Sequence, residues 1–224
     1  QKEWRLLPAR TRANHLLAFT KEIKANKEKL AKLISTEQGK LLKVAQFEVD
    51  VTCSFIEYAS EWARHIEGDI VPSDNADEQI WITKVPRGVV VAITAWNFPL
   101  ALAARKIGPA LIAGNTVVVK PTPDAPLATL FLCELANKVG IPAGVINMVT
   151  GGVDVGRYLV ESPITKMVTM TGGTPTGQAI FRSAATNLTH VQLELGGKGP
   201  CIVFEDADLD VAVAGALHSR FDNC

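Results

Sequence analysis

The stretch Gly88–Lys120, GVVVAITAWNFPLALAARKIGPALIAGNTVVVK, decides the fold. It opens with the β-branched apolar run Val89–Ala95, continues with the apolar run Leu100–Ala113 that Gly114 ends, and closes with a second β-branched run, Thr116–Lys120. A short strand, a helix and another short strand are typical of a βαβ unit, whose two strands lie parallel. The stretch therefore predicts a parallel sheet.

The same alternation of strands and helices continues to the end of the chain. The predicted elements, in chain order, are the helix Pro126–Val139, the strand Val145–Val149, the helix Val153–Val160, the strand Lys166–Thr171, the helix Thr174–Ala185, the strands Val191–Leu195 and Cys201–Phe204, and a helix from Asp208. Short strands alternating with such helices predict an α/β fold, in which a parallel, Rossmann-like sheet carries helices on both faces.

Before this stretch the sequence predicts two long helices and a β-hairpin. Apolar residues recur at helical spacing from Ala9 to Gln38, with Gly39 as the stop, and again in the run that ends at Gly68. The segment from about 68 to 86 has two short extended runs around a polar turn, which is typical of a hairpin. A hairpin placed between helices and a different pattern often reaches a partner chain.

Composition and charge exclude several classes of protein. The 224 residues carry 23 Lys and Arg against 23 Asp and Glu, and 47% are hydrophobic, so we expect a folded protein that binds neither nucleic acid nor a membrane. No apolar run reaches the roughly 20 residues that span a bilayer. The four cysteines form no C-x-x-C pair and the four histidines no cluster, so we expect no metal site. These features predict a soluble, cytoplasmic protein.

Ligands of an open parallel sheet bind beyond the carboxyl ends of its strands, so the residues that follow each strand are candidates. Asn97 follows the first strand on a turn that Pro99 restricts. Its amide could stabilise an oxyanion, or it could simply cap the next helix. Lys120 ends the second strand and could meet phosphate or ribose hydroxyls, or it could be a solvated loop lysine.

Two glycine-rich turns follow later strands, GGVDVG at Gly151–Gly156 and GGTPTG at Gly172–Gly177. Their glycines permit close backbone approach, and the helix after each turn begins with free N–H groups suited to phosphate. Neither turn matches G-x-G-x-x-G or a P-loop, and turns after parallel strands are glycine-rich for steric reasons alone. Two such turns in one sheet favour a dinucleotide site.

Glu194 stands at the end of the strand Val191–Leu195, just before a double glycine. The apolar residues on either side of it share one face of the strand, so Glu194 faces the other way. A carboxylate on a rigid strand end can act as a general base. The alternative is a structural salt bridge between Glu194 and Lys198.

Taken together, these motifs resemble the aldehyde dehydrogenase superfamily. The matching segments are Trp96-Asn97-Phe98-Pro99, Lys106 with Gly108-Pro109-Ala110-Leu111, Gly114-Asn115-Thr116, Lys120-Pro121, Thr171-Gly172-Gly173-Thr174 with Gly177, and Leu193–Lys198. The resemblance covers the whole chain but only the N-terminal half of such a subunit. We therefore expect a fragment, in which residues 1–224 are the NAD(P)-binding domain and the catalytic domain is cut off. The segment Trp62–Gly68 is similar to the lactaldehyde and glycolaldehyde branch.

The resemblance implies an oxidoreductase that converts an aldehyde to a carboxylic acid with NAD, NADP being an alternative. A cysteine thiolate attacks, hydride passes to the nicotinamide, and water hydrolyses the thioester. Asn97 would donate to the thiohemiacetal oxyanion, Glu194 would activate the water, and Lys106 would support the site electrostatically. The hairpin would join a homodimer or homotetramer. The implied cofactor contacts are Thr94, Ala95, Trp96, Asn97, Lys120, Thr122, Pro123, Gly152, Gly156, Thr171, Gly172, Gly173, Thr174, Gly177, Glu194, Leu195 and Gly196.

Three positions depart from the family pattern. Ala95 replaces the proline usual before the Trp-Asn pair, and Gly173 replaces the usual serine of the glycine turn. Pro123 stands where NAD-preferring members carry a glutamate that contacts the adenosine ribose. A proline neither accepts ribose hydroxyls nor repels a 2′-phosphate, so we expect NAD use with incomplete rejection of NADP.

Cys224 is not expected to be the nucleophile. The family pattern is Asn-x-Gly-Gln-x-Cys, and Asn223 fits its first position, which puts the nucleophile about four residues beyond Cys224. The 224-residue chain alone is therefore expected to be inactive. Two other interpretations stay open, a non-catalytic nucleotide-binding or interaction module of the same fold and another two-domain α/β dehydrogenase.

Overall fold

Three helices, rather than the two predicted, form the N-terminal layer. In this computed structural model, which describes residues 1–221 and 223, they are α1 (Ala9–Ala25), α2 (Lys27–Gln38) and α3 (Leu42–Glu61). The prediction of one helix from Ala9 to Gln38 is wrong, because the helix breaks at Asn26. The side-chain Nδ2 of Asn26 donates to the carbonyl oxygen of Glu22 at 2.9 Å and to its carboxylate at 2.8 Å. Such local bonds compete with helix continuation, and apolar spacing does not reveal them.

The predicted hairpin is present after these helices. Strand β1 (Asp69–Pro72) pairs antiparallel with β2 (Gln79–Ile82), and every residue of both strands is exposed. Ile70 and Trp81 are paired in the register and are 69% and 66% exposed. The hairpin therefore presents apolar side chains that residues 1–221 and 223 leave exposed.

A five-stranded parallel sheet lies at the centre of the fold. Its strands are β3 (Val89–Ile93), β4 (Thr116–Lys120), β5 (Ile146–Met148), β6 (Thr165–Gly172) and β7 (His190–Leu195). They lie in the order β5-β4-β3-β6-β7, which confirms the predicted Rossmann-like α/β fold. The chain runs outward from β3 in both directions, so the switch point of the sheet lies between β3 and β6, where such folds bind ligands.

Helices cover both faces of this sheet. They are α4 (Pro99–Ile112), α5 (Leu127–Lys138), α6 (Val153–Glu161) and α7 (Thr174–Ala184). A further helix, α8 (Leu209–Phe221), lies at the end of the described chain and buries none of its residues. Val90 and Ala92 of β3 join the core with α1 to α5, whereas Val91 joins a second core with α6 and α7. The alternation of side chains along a strand produces these two cores.

The C-terminal segment corrects one prediction and supports another. Residues Cys201–Phe204 do not form the predicted strand, because they are exposed and no backbone hydrogen bond in the described chain joins them to a neighbouring strand. An apolar run becomes a strand only where a partner takes its backbone bonds. The helix predicted from Asp208 is present, and Asp208 Oδ1 caps it by accepting from the amides of Asp210 (3.0 Å) and Val211 (3.1 Å). Cys224 lies outside the described residues.

Candidate cofactor-binding and catalytic site

Unpaired polar atoms gather at the switch point of the sheet. Thr94 directly follows β3, and Thr171 lies near the end of the neighbouring strand β6. The Oγ1 atoms of both threonines and the Oδ1 atom of Asn97 are buried without a hydrogen-bond partner. Each such atom costs roughly 1–3 kcal/mol. Three of them along one edge therefore indicate a place where a ligand or another part of the protein binds.

Asn97 does not cap α4, so the structure contradicts that alternative. The N-cap residue is Phe98, and the first free amides of α4 are taken by Glu48 Oε1, which accepts from Leu100 N at 2.8 Å and Ala101 N at 3.3 Å. Lys40 Nζ pairs with Glu48 Oε2 at 2.5 Å and donates to the carbonyl oxygen of Asn97 at 2.7 Å. This buried pair fixes the Asn97 backbone and leaves its side chain free of a capping role.

The Lys40–Glu48 pair was missed by the sequence reasoning, although one signal points to it. Glu48 stands on the apolar stripe of α3, between the buried residues Ala45 and Thr52. A carboxylate on such a stripe needs a buried partner. The sequence pattern therefore predicts that Glu48 has a buried partner, but it does not identify Lys40 as that partner.

Glu194 lies at the carboxyl end of β7, exposed and, within residues 1–221 and 223, not paired with Lys198. Its Oε1 accepts a hydrogen bond from Gln192 Nε2 at 3.0 Å. Gln192 is in turn linked through Thr169 to Lys106 of α4. The pKa of Lys106 is lowered from 10.5 to about 8, chiefly by burial and also by nearby Arg105, against an opposing effect of Glu194. The predicted role of Lys106, electrostatic support of the active site, stays a prediction, and a hydrogen-bond chain joins Lys106 to Glu194.

A cleft of about 230 Å³ opens beside the switch point, between the ends of β3 and β4 and the helices α6 and α7. It is lined by Ile93, Lys120, Pro123, Gly152, Val153, Gly156, Arg157, Val160, Thr176, Ala179, Ile180 and Ser183. Helices α6 and α7 begin after Gly152 and Gly173, and neither has a side-chain cap. Their first amides therefore remain available to an anion.

Lys120 is buried in this cleft rather than solvated. It is 6% exposed, its chain passes 3.7 Å from where a Cβ of Gly156 would lie, and burial lowers its pKa. The acceptor recorded for its Nζ is the carbonyl oxygen of Pro121, at a long 3.4 Å. The remaining hydrogens of the Lys120 ammonium can therefore donate to a ligand.

The cleft gathers four of the predicted cofactor positions and adds others. Lys120, Pro123, Gly152 and Gly156 line it, whereas Arg157, Thr176 and Ser183 were missed. Arg157 directly follows Gly156 in the sequence, which is the signal that could have found it.

The remaining predicted positions lie around the cleft rather than in it. Gly177 packs so closely on Leu195 that a Cβ would stand 2.6 Å from Leu195 Cδ2. Thr122 Oγ1 donates to Asp124 Oδ2 at 3.1 Å, and Trp96 is 50% exposed. The others are Ala95, half-buried after Thr94, and Gly172, Gly173, Thr174 and Gly196 on the carboxyl side of β6 and β7.

A dinucleotide fits the groups present at this edge. The cleft supplies a buried lysine and two uncapped helix N-termini, and the neighbouring Thr94 and Thr171 supply unpaired oxygens. In the described part of the chain no three His, Cys, Asp or Glu side chains stand together as a metal site would require. The helices described are also too short or too polar to cross a membrane.

Comparison with known proteins gives a consistent result. The model of the aldehyde dehydrogenase family matches residues 1–224. The chain is 64% identical to 3,6-anhydro-α-L-galactose dehydrogenase of Vibrio sp. strain EJY3, covering 100% of this chain and 47% of that protein. It is 43% identical to lactaldehyde dehydrogenase of Escherichia coli K12, with coverage of 100% and 47%.

Solved structures agree with these relatives. A 3,6-anhydro-L-galactose dehydrogenase in complex with NADP has a TM-score of 0.98 at 65% identity, covering 100% of this chain and 47% of that one. PnpE in complex with nicotinamide adenine dinucleotide has a TM-score of 0.96 at 40% identity, covering 99% and 46%. The chain thus spans about half the length of the proteins it matches. Because the family model covers every residue of the sequence, the chain belongs to the aldehyde dehydrogenase family.

Proposed function

We propose that the protein carrying this chain oxidises an aldehyde to a carboxylic acid with NAD(P), and that residues 1–224 form its cofactor-binding domain. The observation that carries this proposal is the meeting, at one sheet edge, of the cleft around Lys120, the fixed turn of Asn97 and the carboxylate of Glu194. The nucleophilic cysteine would belong to the part of the protein beyond residue 224. The proposed location is the cytoplasm, and the unpaired thiols of Cys53, Cys133 and Cys201 suit a reducing compartment.

The cofactor site would use groups that the fold leaves without partners. Lys120 Nζ would donate to the adenosine ribose, and the N-termini of α6 and α7 would hold the diphosphate. The unpaired oxygens of Thr94 and Thr171 would accept hydrogen bonds nearer the reacting end. When bound, the dinucleotide supplies the hydride acceptor.

Asn97 and Glu194 would act in two successive steps, Asn97 when the thiolate attacks the aldehyde and Glu194 when water hydrolyses the acyl group. The Asn97 backbone is held by Lys40 at 2.7 Å, so its amide is preorganised to donate to the oxyanion that forms when the thiolate attacks. Glu194 is exposed at the strand end, where it would take a proton from the water that hydrolyses the acyl group.

The cleft favours a cofactor with a 2′-phosphate more than the sequence suggested. No acidic side chain is among its lining residues, whereas Lys120 and Arg157 both are. Asp124, the carboxylate next to Pro123, accepts from Thr122 and lines a different groove with Glu37 and Trp96. We therefore propose that both NAD and NADP are used, with Arg157 contacting the 2′-phosphate.

The hairpin β1–β2 would join a second copy of the chain in a homodimer or homotetramer. Its apolar side chains Ile70 and Trp81 are mostly exposed, and an isolated two-stranded sheet is marginal in water without packing. Light scattering of the full-length protein tests this, with Trp81→Lys expected to shift the oligomer toward a smaller species.

The activity is tested on the full-length protein with NAD and NADP and with the aldehydes that the two curated relatives are named for, 3,6-anhydro-L-galactose and lactaldehyde. Asn97→Ala should slow the acylating step by about 10²-fold, as expected for loss of one oxyanion donor. Glu194→Gln should keep a burst of reduced cofactor and slow only the later hydrolysis. Cofactor binding without turnover of any aldehyde would favour the alternative, a non-catalytic nucleotide-binding module.

A further inference from the structure

Four side chains form a continuous hydrogen-bond chain beneath the candidate site. Lys106 Nζ of α4 contacts Thr169 Oγ1 of β6 at 3.1 Å, and Thr169 Oγ1 contacts Gln192 Oε1 of β7 at 2.5 Å. Gln192 Nε2 then donates to Glu194 Oε1 at 3.0 Å. The chain thus leads from a buried ammonium to the exposed carboxylate.

Strand register places these groups side by side. Thr169 is the parallel partner of Gln192, and Thr171 is the partner of Glu194. Residues two apart on a strand share a face, so Gln192 and Glu194 lie together on the face toward α4. Val191 and Leu193 lie on the opposite face and pack against the second core.

The donors of the chain run in one direction. An ammonium only donates, so Thr169 Oγ1 accepts a hydrogen bond from Lys106. The hydroxyl of Thr169 has one hydrogen, and it donates this hydrogen to the amide oxygen of Gln192. The Gln192 amide is thereby turned with its nitrogen toward Glu194. Aligned bonds polarise one another, and a satisfied network of this kind is more rigid than its separate side chains.

The burial of Lys106 lowers the stability of the fold, which indicates that the aligned hydrogen bonds have a role other than stabilisation. It is 6% exposed, and a buried lysine without a full set of acceptors costs free energy that an apolar residue would not. Thr169 is equally buried, at 6%, is not among the residues that line the cleft, and bonds to Gln192 rather than to Glu194 itself. Neither residue is therefore placed to contact a substrate.

We propose that Thr169 and Gln192 are positioning residues, which hold the Glu194 carboxylate in the orientation that activates the hydrolytic water. This inference rests on the proposed role of Glu194 as the base. It adds that Glu194 acts in the orientation imposed by Lys106, through the side chains of Thr169 and Gln192.

The test compares the pre-steady-state burst and the steady state of the full-length enzyme. Thr169→Val, which keeps shape and removes the hydroxyl, and Gln192→Leu should each slow acyl hydrolysis by about 10-fold and leave the burst rate within about twofold. Thr169→Ser restores the hydroxyl and should hydrolyse at nearly the wild-type rate. Thr165→Val is the matched control, since Thr165 is a buried threonine of β6 whose hydroxyl bonds the Leu159 carbonyl oxygen instead.

A second readout does not depend on turnover. A crystal structure of Gln192→Leu should show the Glu194 side chain in more than one rotamer, while Thr165→Val keeps one. Unchanged hydrolysis in Thr169→Val, or equal slowing of the burst and of hydrolysis, would overturn the positioning role. A wild-type enzyme that binds cofactor but produces no burst would instead contradict the proposed function.

Discussion

Two buried lysines beside the same edge of the sheet have opposite surroundings. Lys40 is 1% exposed, and its Nζ contacts the Glu48 carboxylate at 2.5 Å, the Asn97 carbonyl oxygen at 2.7 Å and the Phe98 ring at 4.0 Å. Lys120 is 6% exposed, and its Nζ contacts one carbonyl oxygen at 3.4 Å.

This difference indicates that Lys40 stabilises the fold, whereas Lys120 can bind a ligand. An ammonium has three donors, and that of Lys40 makes two hydrogen bonds inside the chain and also lies over the Phe98 ring. The desolvation of Lys120 is not offset in this way, so a ligand that accepts its hydrogen bonds gains that energy. Breaking the first lysine's contacts should therefore change stability, and removing the second should change binding.

The largest effect is expected from Glu48→Leu. It leaves Lys40 buried without its counter-ion and the first amides of α4 without an acceptor, so the free energy of unfolding should fall by about 3–5 kcal/mol. Denaturant unfolding of the full-length protein measures this. Glu57→Ala, which breaks an exposed pair with Lys24, is the control and should cost less than about 1 kcal/mol. Equal losses in both variants would contradict the comparison.

Lys120→Met should instead weaken cofactor binding and spare the fold. Loss of one hydrogen bond from a charged donor should raise the Kd for NAD by about 10- to 100-fold. The midpoint of denaturant unfolding in the absence of cofactor should stay the same or rise, because a costly buried charge is removed. Quenching of tryptophan fluorescence measures the Kd, and a fall in stability without a change in Kd would show that Lys120 is structural.

Lys106 is a third buried lysine, and its lowered pKa gives stability a pH dependence. Its pKa falls from 10.5 to about 8 on folding, so between these values the unfolded chain binds more protons and stability rises with pH. From pH 7.5 to 9.5 the wild type should gain about 2 kcal/mol relative to Lys106→Met. Paired unfolding curves at the two pH values measure the gain, which would be absent if Lys106 kept an ordinary pKa.

The smallest effect concerns the mouth of the cleft. Arg157→Ala should raise the Kd for NADP by about 10-fold and leave that for NAD unchanged, since only NADP carries the 2′-phosphate. Arg182→Ala on α7 removes an exposed arginine outside the cleft lining and is the control. A wild-type kcat/KM ratio for NAD over NADP above about 10³ would contradict dual use, since that requires roughly 4 kcal/mol of discrimination.

Most strands of the sheet could be predicted from local patterns in the sequence. The strand Thr116–Lys120 was predicted with its observed bounds, because a β-branched run between Asn115 and Pro121 leaves little freedom. Lys120, Gly152 and Gly156, which were predicted to contact the cofactor, all line one cleft, since residues after parallel strands meet at one edge. The predicted strand at Cys201–Phe204 is absent because an apolar run becomes a strand only where it pairs with another strand. A local sequence pattern carries no information about that pairing.

Local sequence patterns were enough to predict the alternation of strands and helices from Val89 to Leu195, the turns at the carboxyl ends and the family, because periodicity and short motifs are local properties. The partner of each buried polar group, in contrast, follows from tertiary packing. Glu48 meets the start of α4 across more than 50 positions, and Thr169 joins Lys106 to Gln192 across three elements. Such contacts arise when helices pack on a sheet in one register, and no local stretch encodes the distance between atoms that packing brings together.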